Sequence, residues 1–442
     1  MCENCREVNA NSPLEFVTSV RHLRKSRRHI FLVRPGSVPF PVHKSFPQGF
    51  PMSEVQLTLS LSDEELQLRD LVREVVKKEV VPVRAHLDEH NEYPRAVLNK
   101  FKEAGLYGAL FTEEYGGLGM GMMGSIIVSE EIAYGCLGVG TAMLATKLGA
   151  LPIEVGGTKE QKAKWLPALA SGEKMCAFGL TEPGAGSDVP ALRTLAVKKG
   201  DRYVLNGTKQ WISGAGQADF YTVFAMTNKE RGTRGISCFI VEKGTKGFSY
   251  GKKEDKLGIR CSETRQLIFE DCEVPAENLV GGIENTGFLY GLKTLNFSRP
   301  AVAASAVGTA QGAFDCAVQY AREREQFGVK IASFQAIQHM LADMAMKIEA
   351  SRLLTYKSAR LAEVEHKDMA RFSAMAKCFA ADSAMAVCTD AVQIYGGYGY
   401  TKEYPVEKYF RDAKILQIYE GTSQIQKNEI AAGLIKEAAS KK

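Results

Sequence analysis

The chain contains no long apolar run. Across its 442 residues no stretch approaches the roughly 18–20 uninterrupted apolar residues that a membrane-spanning helix needs, so no transmembrane segment is expected. A cysteine framework is also missing. The ten cysteines are scattered, and after Cys2-x-x-Cys5 no paired spacing recurs. They read as reduced thiols of an intracellular protein, packed as small apolar groups. Cys2 and Cys5 have neither a second half nor a βαβ setting, so they point to no redox or metal centre, and no metal is expected. An excess of either charge is missing from most of the chain. Residues 1–51 hold eight Lys/Arg against three Asp/Glu, which accounts for the whole net charge of +5 and leaves 48 of each in the remainder. A neutral body argues against a nucleic-acid surface. No internal repeat stands out.

What remains has the composition of an ordinary globular protein, 45% hydrophobic and 24% charged, and its length calls for two or three domains. Residues 1–51 are proline-containing and lack clean helical periodicity. The basic run Arg21-His22-Leu23-Arg24-Lys25-Ser26-Arg27-Arg28 suits a targeting segment, but Glu3, Glu7 and Glu15 precede it. A disordered arm, or a start called too early with Met52 as the working one, is the preferred reading. From Leu61 the texture is helical. Ser62-Asp63-Glu64-Glu65 provides a cap-type serine and first-turn acids, and further helices are expected near 95–105, 123–135 and 158–170. Between about 176 and 282 the period changes to two. Asn206-Gly207 predicts a hairpin turn, and 220–224, 236–241 and 266–269 read as strands. From about 287 long helices return, with few breakers before Gly396. The expected organisation is an N-terminal extension (1–51), a helical domain (52–175), a β-domain (176–285) and a helical bundle (286–442).

Three runs could carry chemistry. Gly119-Met120-Gly121-Met122-Met123-Gly124 fits a dinucleotide pattern only formally, since it lacks the βαβ context and the later acidic residue. Thr181-Glu182-Pro183-Gly184-Ala185-Gly186-Ser187-Asp188, expected where helix gives way to strand, offers free N–H groups and two hydroxyls to a flat heterocycle or a phosphate, or is simply a polar turn. Ile418-Tyr419-Glu420-Gly421-Thr422-Ser423-Gln424 sets one carboxylate on a bend between apolar side chains. Burial there would raise its pKa toward the working range of a general base, although most glutamates are solvated surface groups. Gly396-Gly397-Tyr398-Gly399-Tyr400 marks a helix end and a close backbone approach.

Taken together with Trp211-Ile212-Ser213, Arg322-Glu323-Arg324-Glu325-Gln326-Phe327-Gly328 and Gln393-Ile394-Tyr395-Gly396-Gly397, the second and third runs resemble the acyl-CoA dehydrogenase family over roughly residues 55–438. The resemblance implies an α+β multi-domain fold: an N-terminal α-helical domain, a middle β-barrel-like domain and a C-terminal four-helix bundle. It also implies FAD-dependent α,β-dehydrogenation of an acyl-CoA thioester in a homotetramer, with electrons passed to an electron-transfer flavoprotein. By position, Phe178, Leu180, Thr181, Gly186 and Ser187 would line the flavin and its pyrophosphate arm. Trp211 and Ser213 would cover the far face, and Thr422 and Gln424 would touch cofactor after the base. Arg324 and Phe327 would reach a neighbouring subunit's FAD, with Gln393 and Gly397 on the same dinucleotide. Ser187, Asn296, Arg299, Tyr419 and Gly421 would contact substrate, Arg299 through a CoA phosphate.

In such a site Glu420 would remove the α-proton while the β-hydrogen leaves as hydride on the other face. The Glu420 N–H and a ribityl hydroxyl would polarise the carbonyl. Some relatives place the glutamate at the position of Ser298, so serine there points to the short-, medium- and simple branched-chain groups. Lys147 lies on a segment that shapes the acyl pocket in relatives. It is expected to be a solvated surface lysine, and an inward orientation would favour an acidic acyl group. The rivals are an acyl-CoA oxidase and a non-catalytic flavoprotein, either an assembly factor or a DNA-binding alkylation-response type. Retention of Glu420 argues against the assembly factor and the neutral body against the DNA binder. Ring-bearing and dicarboxylic substrates stay open. The expected location is the bacterial cytoplasm, or the mitochondrial matrix if residues 1–51 are a targeting segment.

Overall fold

Helix starts with explicit caps open the described part of the chain. In the computed structural model, which describes residues 59–440, Ser62 caps helix Asp63–Val75 (α1). Its hydroxyl accepts from the Glu65 N–H while the Glu65 carboxylate accepts from the Ser62 N–H, satisfying two donors that the helix itself leaves open. The readings made for residues 1–51 lie outside the described residues. Arg84–Glu89 (α2), Arg95–Glu103 (α3), Gly121–Gly135 (α4), Leu137–Gly156 (α5) and Lys159–Ala170 (α6) complete the first helical group. Helix α5 is absent from the sequence-based expectation. Its glycines and Pro152 imitate a loop, but the packing requires small residues. A Cβ on Gly149 would lie 2.7 Å from the Ala177 nitrogen. Helix α4 follows no strand of the sheet, which agrees with rejecting a dinucleotide site at Gly119–Gly124.

Seven strands follow: Cys176–Gly179 (β1), Leu195–Lys199 (β2), Arg202–Ser213 (β3), Phe220–Met226 (β4), Ile236–Glu242 (β5), Phe248–Tyr250 (β6) and Thr264–Pro275 (β7). They form one curled, mixed sheet in the order β1-β4-β2-β3-β7-β6, with β5 also on β4. Strand β1 already precedes Thr181–Asp188, so that run links two strands and is not a helix-to-strand junction. The expected hairpin turn at Asn206-Gly207 is not there. Both residues lie inside β3, where the pairing with β7 shifts register between Leu205 and Gly207. The chain reverses instead between β2 and β3, where Lys199 pairs with Arg202. Gly207, at φ +147°, makes a bulge, and Asn206 exchanges hydrogen bonds with Asp271 across it. Asn-Gly is permissive of positive φ in a bulge as in a turn, so the dipeptide alone could not separate the two.

The third group is built on Gly287–Glu323 (α7), Gln335–Glu363 (α8) and Met369–Tyr395 (α9), with Val406–Ala413 (α10), Ser423–Ser440 (α11) and a two-strand hairpin, Glu325–Gln326 (β8) and Val329–Lys330 (β9). Alanine lines the buried seam between α7 and α9. Ala303, Ala306, Ala310, Ala313 and Ala317 belong to the same core cluster as Ala376, Ala380, Ala384 and Ala391. Gly396 at φ +61° ends α9 as expected. The close backbone approach falls at Gly399, whose Cβ would lie 2.6 Å from the Val392 carbonyl oxygen, while Gly396 and Gly397 face open space. Among the described residues no helix is long and apolar enough to cross a membrane.

A Cβ on Gly207 would lie 2.7 Å from the Thr194 Cα. Gly207→Val is expected to lower stability by roughly 2 kcal/mol or more through overpacking and backbone strain. A urea midpoint equal to that of the parent protein would contradict this account of the bulge.

Candidate active site

Pro300 lies inside α7 and cannot donate to the carbonyl of Asn296 one turn earlier. That carbonyl is satisfied by the Ser373 hydroxyl from α9, at 2.9 Å. The repair ties the two helices together beside the turn that carries Glu420. Glu420 and Gly421 both have left-handed backbone angles, φ +52° and +96°. A non-glycine residue holds that conformation only when its surroundings impose it. Here Gln426 Nε2 donates to the Glu420 carbonyl at 3.2 Å and to the Gly421 carbonyl at 3.1 Å. Arg299 Nε reaches the Glu420 carbonyl at 3.4 Å, and Lys377 Nζ the Gly421 carbonyl at 2.6 Å.

The Glu420 carboxylate accepts a short hydrogen bond from the Ser298 hydroxyl. Burial raises its pKa above the ordinary carboxylate range, partly offset by Ser298 and by the charges of Lys377 and Arg299. Of the expected substrate contacts, Asn296, Arg299, Tyr419 and Gly421 converge on this turn. The structure gives Arg299 other partners than the CoA phosphate expected of it. Only 3% exposed, its guanidinium grips Glu429 with two nitrogens, and an enclosed, already neutralised cation presents no face to a phosphate. Asn296 Oδ1 accepts from Arg299 at 3.4 Å, and the Tyr419 hydroxyl pairs with Thr141 on α5. Thr422 accepts from the Ile425 N–H at the start of α11, while Gln424 is exposed.

A second group gathers at the end of the sheet. Phe178 on β1 packs edge-on against Phe224, and Leu180 and Thr181 continue from it, half-buried. The Thr181 carbonyl accepts from the Gln210 N–H at 2.8 Å, which brings Trp211 and Ser213 alongside. Trp211 is held at φ +62° with its indole 60% exposed. Gly184 and Gly186 border open space and Ser187 is exposed, so the strand-linking loop presents bare backbone. One buried ion pair sets this loop. Lys209 Nζ, without solvent exposure, donates to the Leu180 carbonyl at 3.1 Å and to the Glu182 carboxylate at 2.7 Å. Glu182 in turn accepts from the N–H groups of Arg193 and Thr194. Neither Lys209 nor Lys377 was singled out from the sequence. Their signal is a lone lysine flanked by residues that are otherwise core.

A third group lies elsewhere. Along α7, Arg324 follows Ser298 by roughly 40 Å at 1.5 Å per residue. Arg324 stacks over Tyr398, 5.3 Å from the ring centre, near Gln393 and Gly397, and Phe327 is 94% exposed. These four residues share one end of the molecule and are not part of the Glu420 site of the same chain. Lys147 is not the solvated lysine expected. It is half-buried, bonded to both oxygens of Glu154 at 2.6 and 2.7 Å, and lies over the Phe111 ring.

Models of three acyl-CoA dehydrogenase domains match the chain in succession: the N-terminal domain over residues 62–173, the middle domain over 177–272 and the C-terminal domain over 285–435. The chain belongs to the acyl-CoA dehydrogenase family. A short-chain specific acyl-CoA dehydrogenase of Clostridium acetobutylicum is 47% identical over 86% of this chain and its own full length. The structure of butyryl-CoA dehydrogenase from Megasphaera elsdenii superposes with a TM-score of 0.83 at 44% identity, covering 85% of this chain and 99% of that one. A chain from the structural study of the electron transferring flavoprotein of Acidaminococcus fermentans gives a TM-score of 0.84 at 48% identity, covering 86% and 99%. The helical, curled-sheet and helical groups are thus those of an acyl-CoA dehydrogenase, an oxidoreductase of a flavoprotein family. The second group fits a flavin: it has an exposed indole held by a strained backbone, hydroxyls at Thr181 and Ser213, and open-faced glycines.

Breaking a buried ion pair from one side costs roughly 3–5 kcal/mol. Lys209→Met is therefore expected to loosen the 180–188 loop and to yield protein with a lower melting temperature and less bound FAD. Unchanged FAD content by absorbance would contradict that role.

Proposed function

We propose that this acyl-CoA dehydrogenase oxidises short-chain acyl-CoA thioesters to their trans-2-enoyl products, with Glu420 as the α-proton base. The observation that carries the proposal is the Glu420 carboxylate: half-buried, raised in pKa and held on a left-handed turn by four side-chain hydrogen bonds to two carbonyls. A base of this kind is poised to accept a proton from carbon without being fully neutralised by a partner. The Ser298 hydroxyl orients the carboxylate, and as a serine it cannot compete as a base. The Glu420 backbone N–H is the donor assigned to the thioester oxygen, where charge develops as the α-proton leaves. FAD, when bound, accepts the β-hydrogen as hydride.

We assign the flavin to Phe178, Leu180, Thr181, Gly186, Ser187, Trp211, Ser213, Thr422 and Gln424. Arg324, Phe327, Gln393 and Gly397 are assigned to the FAD of a neighbouring subunit, so that the sites are composite, in keeping with the homotetramer we propose. Their separation from Ser298 along α7 and the exposure of Phe327 support that assignment. Reoxidation by an electron-transfer flavoprotein accords with the similarity to a chain from the Acidaminococcus study. Short-chain substrates accord with the Clostridium and Megasphaera relatives. The Lys147–Glu154 pair speaks against a dicarboxylic substrate, because the lysine charge is already balanced. A bacterial cytoplasmic setting accords with the sources of the relatives.

Two outcomes are expected. Glu420→Gln should retain FAD and still bind acyl-CoA, while the anaerobic rate of flavin bleaching falls by at least 10³-fold, the scale of losing a general base together with its charge. Normal bleaching in that variant would show the base to be misplaced. In a panel of acyl-CoAs, C4 substrates should bleach fastest, and glutaryl-CoA should be at least tenfold slower. A preference for long, ring-bearing or dicarboxylic chains would overturn the substrate assignment, and rapid reoxidation of the bleached flavin by oxygen would favour an oxidase.

A further inference from the structure

Lys377, one of the donors to the turn, has so far been given no role of its own in the chemistry. It lies on α9 within Ala374-Met375-Ala376-Lys377-Cys378, with no solvent exposure. Burial of an ammonium is costly, and it pulls this lysine down to about 8, while the negative charge of Glu420 is the leading influence in the other direction. Its ammonium donates to the Gly421 carbonyl at 2.6 Å, the carbonyl that follows Glu420.

From α7, Arg299 faces the turn but is neutralised through two nitrogens by Glu429 of α11. Lys427 of α11 lies 3.7 Å from Asp382, which is on α9 itself. Asp382 is occupied further, accepting from Ser423 at 2.9 Å and from Gln417 at 2.7 Å. Cys378, the remaining titratable neighbour on α9, has burial pushing its thiol pKa up and so stays neutral. Gln426, which shares the Gly421 carbonyl, carries no charge. Lys377 is therefore the cation without a committed carboxylate, and Glu420 is the carboxylate without a committed cation.

We propose that Lys377 is a positioning residue for the base: its ammonium pins the Gly421 carbonyl so that the Glu420 carboxylate meets Ser298, and its charge keeps that carboxylate ionised in a site that burial makes hostile to charge. The proposal rests on the reading of Glu420 as the base. It adds a second requirement, that a donor carrying an unneutralised positive charge act beside the neutral Gln426 in holding the left-handed pair Glu420–Gly421. A base whose pKa has been raised loses its function as the pH falls through that value. Removing the nearby cation raises the value further, so the acid limb of the rate must move to higher pH.

The test uses the FAD-loaded enzyme and butyryl-CoA, with the anaerobic bleaching rate per bound flavin followed against pH. Lys377→Gln keeps a donor for Gly421 without the charge, Lys377→Arg keeps the charge, and Lys377→Met removes both. The acid limb is expected to move up by about one pH unit or more in Lys377→Gln, with KM changed by less than about twofold, and to stay in place in Lys377→Arg. Lys377→Met should show the same shift together with a plateau rate at least tenfold lower. If Lys377→Met fails to fold, the Lys377→Gln and Lys377→Arg limbs decide. An unmoved limb in Lys377→Gln overturns the proposal. So does a loss confined to FAD content or folded fraction at an unchanged rate per flavin, which would make Lys377 a packing residue. Glu420→Gln run in parallel separates the two readings. If it bleaches normally, the base itself is wrong; if it is inactive while the Lys377→Gln limb is unmoved, only the present inference fails.

Discussion

Alanine sets the distance between the two long helices on which the site is built. With methyl groups on both sides of the seam, α7 and α9 approach closely enough for Ser373 to reach the Asn296 carbonyl that Pro300 leaves without a donor. The same closeness brings Ser298 and Arg299 from one helix, and Lys377 from the other, onto a turn that belongs to neither. A larger residue in that seam would separate the groups that hold Glu420 before it disturbed Glu420 itself. The packing of small side chains is thus upstream of the electrostatics.

Burial recurs in this chain as a way of making one charge hold a backbone. Lys209 and Lys377 are both lysines withdrawn from water, and each donates to a main-chain carbonyl next to a functional loop. They differ in their balance. Lys209 has Glu182 in direct contact, so its pair is closed and serves the shape of the 180–188 loop. Lys377 has no such contact, and its field extends to a carboxylate that must stay available for a proton. Arg299 resembles the first case, since Glu429 neutralises it and leaves it a geometric role. Similar residue types therefore act differently according to whether the counter-charge is spent.

Much of this was legible in the sequence. The order helix, strand, helix follows from hydrophobic period, and the capping residues at Ser62 fall where expected because capping is local chemistry. Glu420 was legible as a candidate base because a β-branched residue, an aromatic and a glycine flank it and because the motifs before it resemble those of the family. Helix α5 was not, because its glycines serve contacts with strands distant in sequence, and the residues alone read as breakers. Asn206-Gly207 was misread for a related reason: positive φ is a property of the dipeptide, but the choice between turn and bulge is made by the partner strand β7. Arg299 and Lys377 show the limit on the charged side. Whether a cation faces a ligand, a carboxylate or a carbonyl depends on groups more than forty residues away.

The left-handed backbone at Glu420 has a consequence for how such a protein can change. A glutamate at φ +52° sits in a region that costs an L-residue about 1–2 kcal/mol, whereas glycine would sit there without penalty. The one substitution that relaxes this strain most completely also deletes the proposed base. Stability and turnover therefore pull in opposite directions at this residue, and any selection for a more robust fold has to find its gains somewhere else in the chain.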